Sequence, residues 1–321
     1  MSFSLKVKEE LAGVYASARH CQLAELSALI GMCGHIYTTP SGRHYIAVSS
    51  ENRGITAKCH ALIRRAFGYE ADVSVRYNAE TKNTAYFTAV TDSDTAIKIL
   101  MAAKLMDGDG SIDRDLSLVS TVGISNMCCK RAFLRGAFLA GGSMSDPEKA
   151  YHLEIVTSGP KKSEQIAKAA NAFDLGAKIA LRRNYYVVYI KESSQIADML
   201  NVTGAHVSLM ELENVRVLKE VRNSVNRKVN CETANLNKTV SAAVKQIEDI
   251  NYIGERAGLD SLNEGLEQIA RLRLRYPDMP LKDLGGLLSP AVGKSGVNHR
   301  LRRISQIADD LRQKESREEE K

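Results

Sequence analysis

Apolar residues recur with helical spacing near the C-terminal end of the chain. They are three or four positions apart, which is typical of one buried face of an α-helix. These residues are Val297, Leu301, Ile304, Ala308 and Leu311. A shorter helix is predicted from residue 281, and a turn with glycine and proline separates the two. The pattern predicts an all-α helical hairpin domain, which we place at residues 259–311.

The opposite face of the second helix is polar and basic. It contains Lys294, Ser295, Asn298, His299, Arg300, Arg302 and Arg303. These side chains donate hydrogen bonds to phosphates and base edges, as the second helix of a helix-turn-helix does in the DNA major groove. We expect the lysine and the arginines to contact mostly phosphates, and Asn298 and His299 to reach base edges. The alternative is an ordinary helical hairpin with a solvated basic face.

An internal repeat precedes this hairpin. A helix, a hairpin, a second helix, two further strands and a short helix are predicted at 23–34, 35–49, 57–67, 72–77 with 84–91, and 94–105. The same order returns at 130–142, 145–157, 162–173, 177–182 with 185–191, and 194–200. Gly142 follows Gly34 by 108 positions. Two copies of helix–hairpin–helix–hairpin–helix predict an α+β domain with pseudo-twofold symmetry over residues 1–204, with halves at about 1–105 and 126–204.

The remaining segments are predicted to be linkers and a tail. Residues 106–125 form a flexible acidic linker whose spacing does not fit a calcium loop. Residues 205–258 form a helical basic linker, with an apolar face at Leu236, Val240, Ala243, Ile247 and Ile250. The asparagine-rich stretch 223–230 predicts a break in that helix. Either it is a solvated loop, or Arg222, Arg227 and Lys228 add DNA contacts. The charged segment 312–321 is predicted to be disordered.

Composition narrows the class of protein. The 321 residues are 44% hydrophobic and 26% charged, with a net charge of +6, so global charge alone is weak evidence for nucleic-acid binding. No long apolar run or signal-peptide core is present, so we expect a cytoplasmic protein without membrane contact. With the predicted DNA-binding helix, we expect it to be nucleoid-associated. The six cysteines form no Cys-x-x-Cys pair, so we expect reduced thiols, no metal and no cofactor.

The first helix of each repeat is rich in small residues, which let two helix backbones approach closely. These are Ala28, Gly31 and Gly34 in one helix and Gly136, Ala140 and Gly141 in the other. The pair resembles the LAGLIDADG motif of homing endonucleases, in which the penultimate residue of each motif is acidic and holds a divalent metal. The matching positions here are Cys33 and Gly141, and neither supplies an oxygen ligand.

Two further runs, 226–235 with 238–239 and 294–302, resemble the interdomain signature and the DNA-binding hairpin of the WhiA family of sporulation and cell-division regulators. The resemblance covers nearly the whole chain. One departure is Gly285-Gly286, where a better helix former is expected. The resemblance implies a non-catalytic regulator of cell division, chromosome segregation and sporulation-type development, acting on double-stranded DNA and through transcription. A protein partner on the N-terminal domain is a further expectation. The rivals are a nucleoid-architectural or RNA-binding module and an active site-specific endonuclease.

Overall fold

The computed structural model describes residues 1–80, 82–113 and 116–319. Two compact units divide the chain, Met1–Lys219 and Glu220–Lys321. The first unit contains the internal repeat, and its two halves have the same order of elements apart from an additional helix at the beginning of the first half.

The first half begins with a helix that the sequence pattern did not predict. Ser2 caps this helix by accepting a hydrogen bond from the Leu5 N–H, and Phe3, Val7 and Leu11 are buried on one face. The elements of this half are α1 (Phe3–Ala12), α2 (Arg19–Cys33), β1 (Gly34–Thr38), β2 (His44–Ser50), α3 (Arg53–Phe67), β3 (Asp72–Asn78), β4 (Asn83–Val90) and α4 (Ser93–Ala102).

The second half repeats the order from α2 onward after a 3-10 turn at Thr121–Ile124. Its elements are α5 (Met127–Gly141), β5 (Gly142–Met144), β6 (Leu153–Thr157), α6 (Pro160–Asn171), β7 (Lys178–Arg182), β8 (Tyr185–Ile190) and α7 (Ser193–Thr203). Each half forms a four-stranded antiparallel sheet, with strand orders β1-β2-β4-β3 and β5-β6-β8-β7. The identical order confirms the predicted α+β fold with two related halves.

Helices α2 and α5 pack against each other at the centre of the first unit, and most of their residues are buried. Gly136 makes this approach possible. A Cβ atom there would lie 2.6 Å from the carbonyl oxygen of Glu25 and 2.9 Å from Cβ of Ala28, both on α2. The expectation of a flexible linker between the halves is wrong for its described residues near this core. Leu118 and Ile124 are buried, and a Cβ at Gly31 would lie 2.9 Å from the Leu116 carbonyl oxygen.

The predicted break at 223–230 is wrong. Helix α8 (His206–Arg256) runs without interruption through that stretch and is 51 residues long. Each asparagine lowers helix propensity by only about 0.7 kcal/mol, and the neighbouring arginine, lysine, leucine and glutamate residues favour a helix. Of the predicted apolar face, Ile250 is buried, whereas Leu236 and Val240 are exposed.

The second unit is helical. After the C-terminal part of α8 it contains a 3-10 turn (Leu259–Ser261), α9 (Glu264–Arg275), α10 (Leu281–Gly286) and α11 (Lys294–Glu319). We expected a disordered tail from residue 312, but α11 continues through Glu319. Arg312 explains the first added turn, because its guanidinium pairs with the buried Asp249 carboxylate at 2.9 Å. Residues 320 and 321 of the tail, and 114 and 115 of the acidic linker, lie outside the described residues.

Among the described residues, we find no helix that combines the length and the hydrophobicity needed to span a lipid bilayer.

Candidate nucleic-acid interface

One side of α11 holds the second unit together. Val297, Leu301, Ile304 and Ala308 are almost fully buried, as the three- and four-residue spacing predicts. They pack in one cluster with residues of α8, α9 and α10, among them Ile250, Ile253, Leu266, Ile269 and Leu284. A buried stripe on one side fixes which residues of α11 face the solvent.

The solvent-facing side of α11 carries most of the predicted DNA contacts. Asn298 is half-buried beside the apolar stripe, and five further residues are exposed: Lys294, Ser295, His299, Arg302 and Arg303. The Arg303 guanidinium donates to Oε1 of Gln306 at 3.0 Å. From residue 294 to residue 308 the helix contains no acidic residue. The face is therefore both basic and rich in hydrogen-bond donors.

Arg300 lies apart from this face. Its guanidinium is partly buried against α9, where Nη1 donates to the Gly265 carbonyl oxygen at 3.3 Å. This contact gives Arg300 a role in holding α9 against α11. Sequence reasoning did not identify Arg273, whose buried guanidinium donates to the carbonyl oxygens of Pro277 and Met279 at 3.2 and 2.8 Å. Arg273 thus fixes the loop between α9 and α10. It follows Leu266, Ile269 and Ala270 at helical spacing on the buried face of α9, and this periodicity is the sequence signal that could have identified it.

The turn between α10 and α11 packs directly on the backbone of Gly285. The Val292 N–H donates to the Gly285 carbonyl oxygen at 2.9 Å. A Cβ atom at position 285 would overlap the Val292 carbonyl oxygen and lie 2.9 Å from Cγ2 of Val297. The expectation of a better helix former at this position is therefore wrong, because any side chain would push the turn away from α10. At Gly286, by contrast, an added Cβ would have no described atom within 4 Å apart from its chain neighbours and the adjacent backbone of its own helix.

The beginning of α11 adds a second feature suited to phosphate. The first intrahelical bond runs from the Val297 N–H to the Gly293 carbonyl oxygen, so the preceding N–H groups of the first turn have no intrahelical partner. No acidic residue lies in that turn, and Lys294 and Ser295 are both exposed there. Free N–H groups and the positive end of the helix dipole favour an anion at this position.

The additional candidates on α8 are also exposed. Arg222, Arg227 and Lys228 lie in a stretch of the helix whose residues are all exposed from 220 to 242. Arg227 donates from Nε to the Asn223 carbonyl oxygen at 3.3 Å, one turn earlier. These cations therefore lie on a solvated helix, and not on the loop that the asparagines predicted.

The two degenerate motif positions lie at the ends of α2 and α5. Cys33 is half-buried, and burial raises the pKa of its thiol to about 11, so the thiol is uncharged at neutral pH. At Gly141 a Cβ atom would lie 2.6 Å from the Val156 carbonyl oxygen and 2.5 Å from Cε of Met32. The packing at this position leaves no space for the acidic side chain that the endonucleases carry.

Glu25 is the acidic residue of α2, and it is fully occupied in the core. Its carboxylate accepts two hydrogen bonds from the Arg135 guanidinium at 2.9 Å and pairs with the Lys58 ammonium at 2.7 Å. The Lys58 ammonium also donates to the carbonyl oxygens of Leu11 and Val14 at 2.6 Å. Such a buried, fully paired carboxylate serves as a structural group and has no oxygen available for a metal ion.

The fold defines a class of protein with two LAGLIDADG-like halves followed by a helix-turn-helix domain. Each of these three domains matches a known domain family. Residues 19–106 match the WhiA N-terminal LAGLIDADG-like domain, residues 130–222 the WhiA LAGLIDADG-like domain, and residues 225–308 the WhiA C-terminal HTH domain.

Relatives from other organisms align with this chain over nearly its full length. The chain is 48% identical to the probable cell division protein WhiA of Lachnoclostridium phytofermentans, covering 98% of this chain and all of the relative. It is 49% identical to the protein of the same name in Alkaliphilus oremlandii, with 98% of each chain covered. The crystal structure of full-length DUF199/WhiA from Thermatoga maritima aligns over 97% of this chain and 99% of that one, with a TM-score of 0.58 and 26% identity. The chain belongs to the WhiA family, as the sequence motifs predicted.

Proposed function

We propose that this protein is a DNA-binding regulator of cell division without nuclease activity, located in the cytoplasm on the nucleoid, with α11 as its recognition helix. The exposed face of α11 is the observation that carries this proposal. Its basic and polar side chains lie opposite a fully buried stripe, on the second helix of a helix-turn-helix. The curated relatives, which are named as probable cell division proteins, support the cellular role.

Within this face we assign separate roles by position. Arg302 and Arg303 are exposed and long enough to reach phosphates, and Lys294 and Ser295 lie beside the free N–H groups of the first turn. Asn298 and His299 are placed to contact base edges, because an amide and an imidazole can donate and accept at the same edge. Transcription control, chromosome segregation and sporulation-type development are the outputs that we propose for such binding.

The absence of nuclease activity rests on Cys33 and Gly141. Phosphodiester cleavage by two metal ions requires carboxylate oxygens at the scissile phosphates. A thiol with a raised pKa and a glycine that has no room for a side chain supply none.

The test is a titration of duplex DNA at several salt concentrations with single variants of α11. Arg302→Ala and Arg303→Ala each remove one phosphate contact, so the slope of log affinity against log salt should become shallower by about one unit, on preferred and random sequences alike. Asn298→Ala should cost about 1–3 kcal/mol on a site selected by the wild type and little on random DNA.

Arg271→Ala is the matched control, because it removes the same charge from the same unit. Arg271 is exposed on α9 and paired with Glu267 and Asp260 at 2.8 and 3.0 Å. Its loss should leave the salt slope unchanged. If Arg302→Ala and Arg303→Ala behave like Arg271→Ala, α11 is not the DNA contact. Binding of double-stranded RNA as tight as that of DNA would favour the RNA-binding rival instead.

A further inference from the structure

Two residue pairs from the two halves of the first unit meet where α2 and α5 begin. His20 and Cys21 are the second and third residues of α2, and Cys128 and Cys129 are the second and third residues of α5. Both helices are 15 residues long, and the pairs are 108 positions apart, like Gly34 and Gly142. The pseudo-twofold symmetry of the fold therefore places them at equivalent positions.

The four side chains are close enough to hold one metal ion. One ligand atom of each, the imidazole nitrogen or a sulfur, lies within 4.8 Å of the other three. Nδ1 of His20 is 3.2 Å from Sγ of Cys129 and 3.3 Å from Sγ of Cys21. At the usual Zn–N and Zn–S bond lengths, tetrahedral ligand atoms are separated by roughly 3.5–3.8 Å. Small side-chain adjustments would bring these atoms to that spacing.

The electrostatic surroundings fit thiolates bound to a divalent cation. In neither α2 nor α5 does an N-cap side chain accept a hydrogen bond from the first turn, and neither first turn contains an acid. Two positive helix ends therefore meet at the cluster, where three thiolates and one Zn²⁺ would carry a net charge of −1.

We propose that His20, Cys21, Cys128 and Cys129 form a structural Zn²⁺ site that joins the beginnings of α2 and α5. Three cysteines and one histidine complete a tetrahedral shell, and a shell made only of protein ligands leaves no position for a substrate, as in structural zinc sites. Cys21 and Cys129 are buried, whereas His20 and Cys128 are exposed, so an ion could enter from solvent. On binding, the thiols would release their protons to water and the sulfurs would coordinate the ion.

This site departs from the expectation of no metal that the sequence produced. The usual zinc signature places two ligands a few residues apart on one loop. Here each helix supplies two adjacent residues, and only the packing of α2 on α5 unites the pairs. The inference is independent of DNA binding, because it rests on the first unit alone.

The test is metal analysis of the full-length protein purified under reducing conditions without chelator. We expect about one zinc ion per chain, released when the thiols are modified. Co²⁺ added to the apoprotein should produce the visible d–d bands of a tetrahedral site and a near-ultraviolet thiolate charge-transfer band. The Co²⁺ spectrum uses the wild-type sequence, so it does not depend on whether a variant folds.

Cys128→Ser is the informative variant, since Cys128 is exposed and its replacement leaves the core intact. Zinc content should fall to near zero, and chelator should lower the melting temperature of the wild type but not of this variant. Cys231→Ser, at an exposed cysteine on α8, is the matched control and should retain zinc. The proposal is overturned if the wild type holds no zinc and gives no tetrahedral Co²⁺ spectrum, or if Cys128→Ser retains full zinc. Iron with acid-labile sulfide, or a disulfide among these cysteines under reducing conditions, would also overturn it.

Discussion

Two adjacent glycines at the end of α10 should respond oppositely to alanine. At position 285 the added methyl group would overlap the Val292 carbonyl oxygen and press on Cγ2 of Val297. Because the obstacle is backbone and the glycine is buried, we expect Gly285→Ala to destabilise the hairpin by about 1–3 kcal/mol, as overpacking does in cores. At position 286 the methyl group meets no described atom within 4 Å beyond its chain neighbours and the adjacent backbone of its own helix. Gly286→Ala should therefore be neutral or stabilise the helix by up to about 1 kcal/mol.

Hydrogen exchange of the full-length protein measures this difference locally. Peptides from residues 281–304 should exchange roughly 5–150-fold faster in Gly285→Ala than in the wild type. This factor is the increase in the equilibrium constant for local opening that corresponds to a destabilisation of about 1–3 kcal/mol. Peptides from α2 and α5 should be unchanged. DNA affinity should fall with the opened fraction in Gly285→Ala and stay at the wild-type value in Gly286→Ala. Equal protection of the hairpin in the two variants would refute the proposed contact between the turn and α10.

The remaining predictions concern the first unit. Purified protein should not nick or cleave duplex DNA in magnesium or manganese, because Cys33 and Gly141 supply no oxygen ligands. Cleavage that copurifies with the protein, and that disappears when a nearby acid is replaced, would contradict this prediction. Glu25→Gln should lower the free energy of unfolding by about 3–5 kcal/mol in denaturant titrations, because it removes a buried charge that Lys58 and Arg135 share. A loss below about 1 kcal/mol would show that the ion group contributes little to stability.

The sequence predicted the repeated elements well, because their signals are local. The helix predicted at 23–34, which in the structure begins earlier at Arg19, and the strands around Gly42 follow from periodicity and turn residues. The 108-residue repeat places the second half. The order of strands within each sheet depends on pairing between distant segments, so local sequence patterns do not determine it. Nor do they determine the packing of Gly136 against Glu25, which depends on a partner helix more than 100 positions away.

The candidate interface was predicted in outline but not in every residue. The apolar stripe identified the exposed face of α11, yet Arg300 at its flank contacts α9, which only the packed unit reveals. The asparagines at 223–230 indicated a break because their low helix propensity was considered locally. The helical residues on both sides of this stretch, which continue α8 through it, were not taken into account. Gly285 looked unfavourable in a helix from the local sequence alone. The need for glycine there comes from the turn that folds back on it, which only the structure shows.

Site-specific photocrosslinking tests most directly whether α11 contacts DNA. A photoreactive amino acid is placed at one position of the full-length protein, and crosslinks to duplex DNA are counted at moderate salt. Position 299, at the centre of the exposed face, should crosslink efficiently, and position 271 on α9 should not. Crosslinks from position 227 on α8 with none from position 299 would contradict the account and place the DNA contact on the long helix.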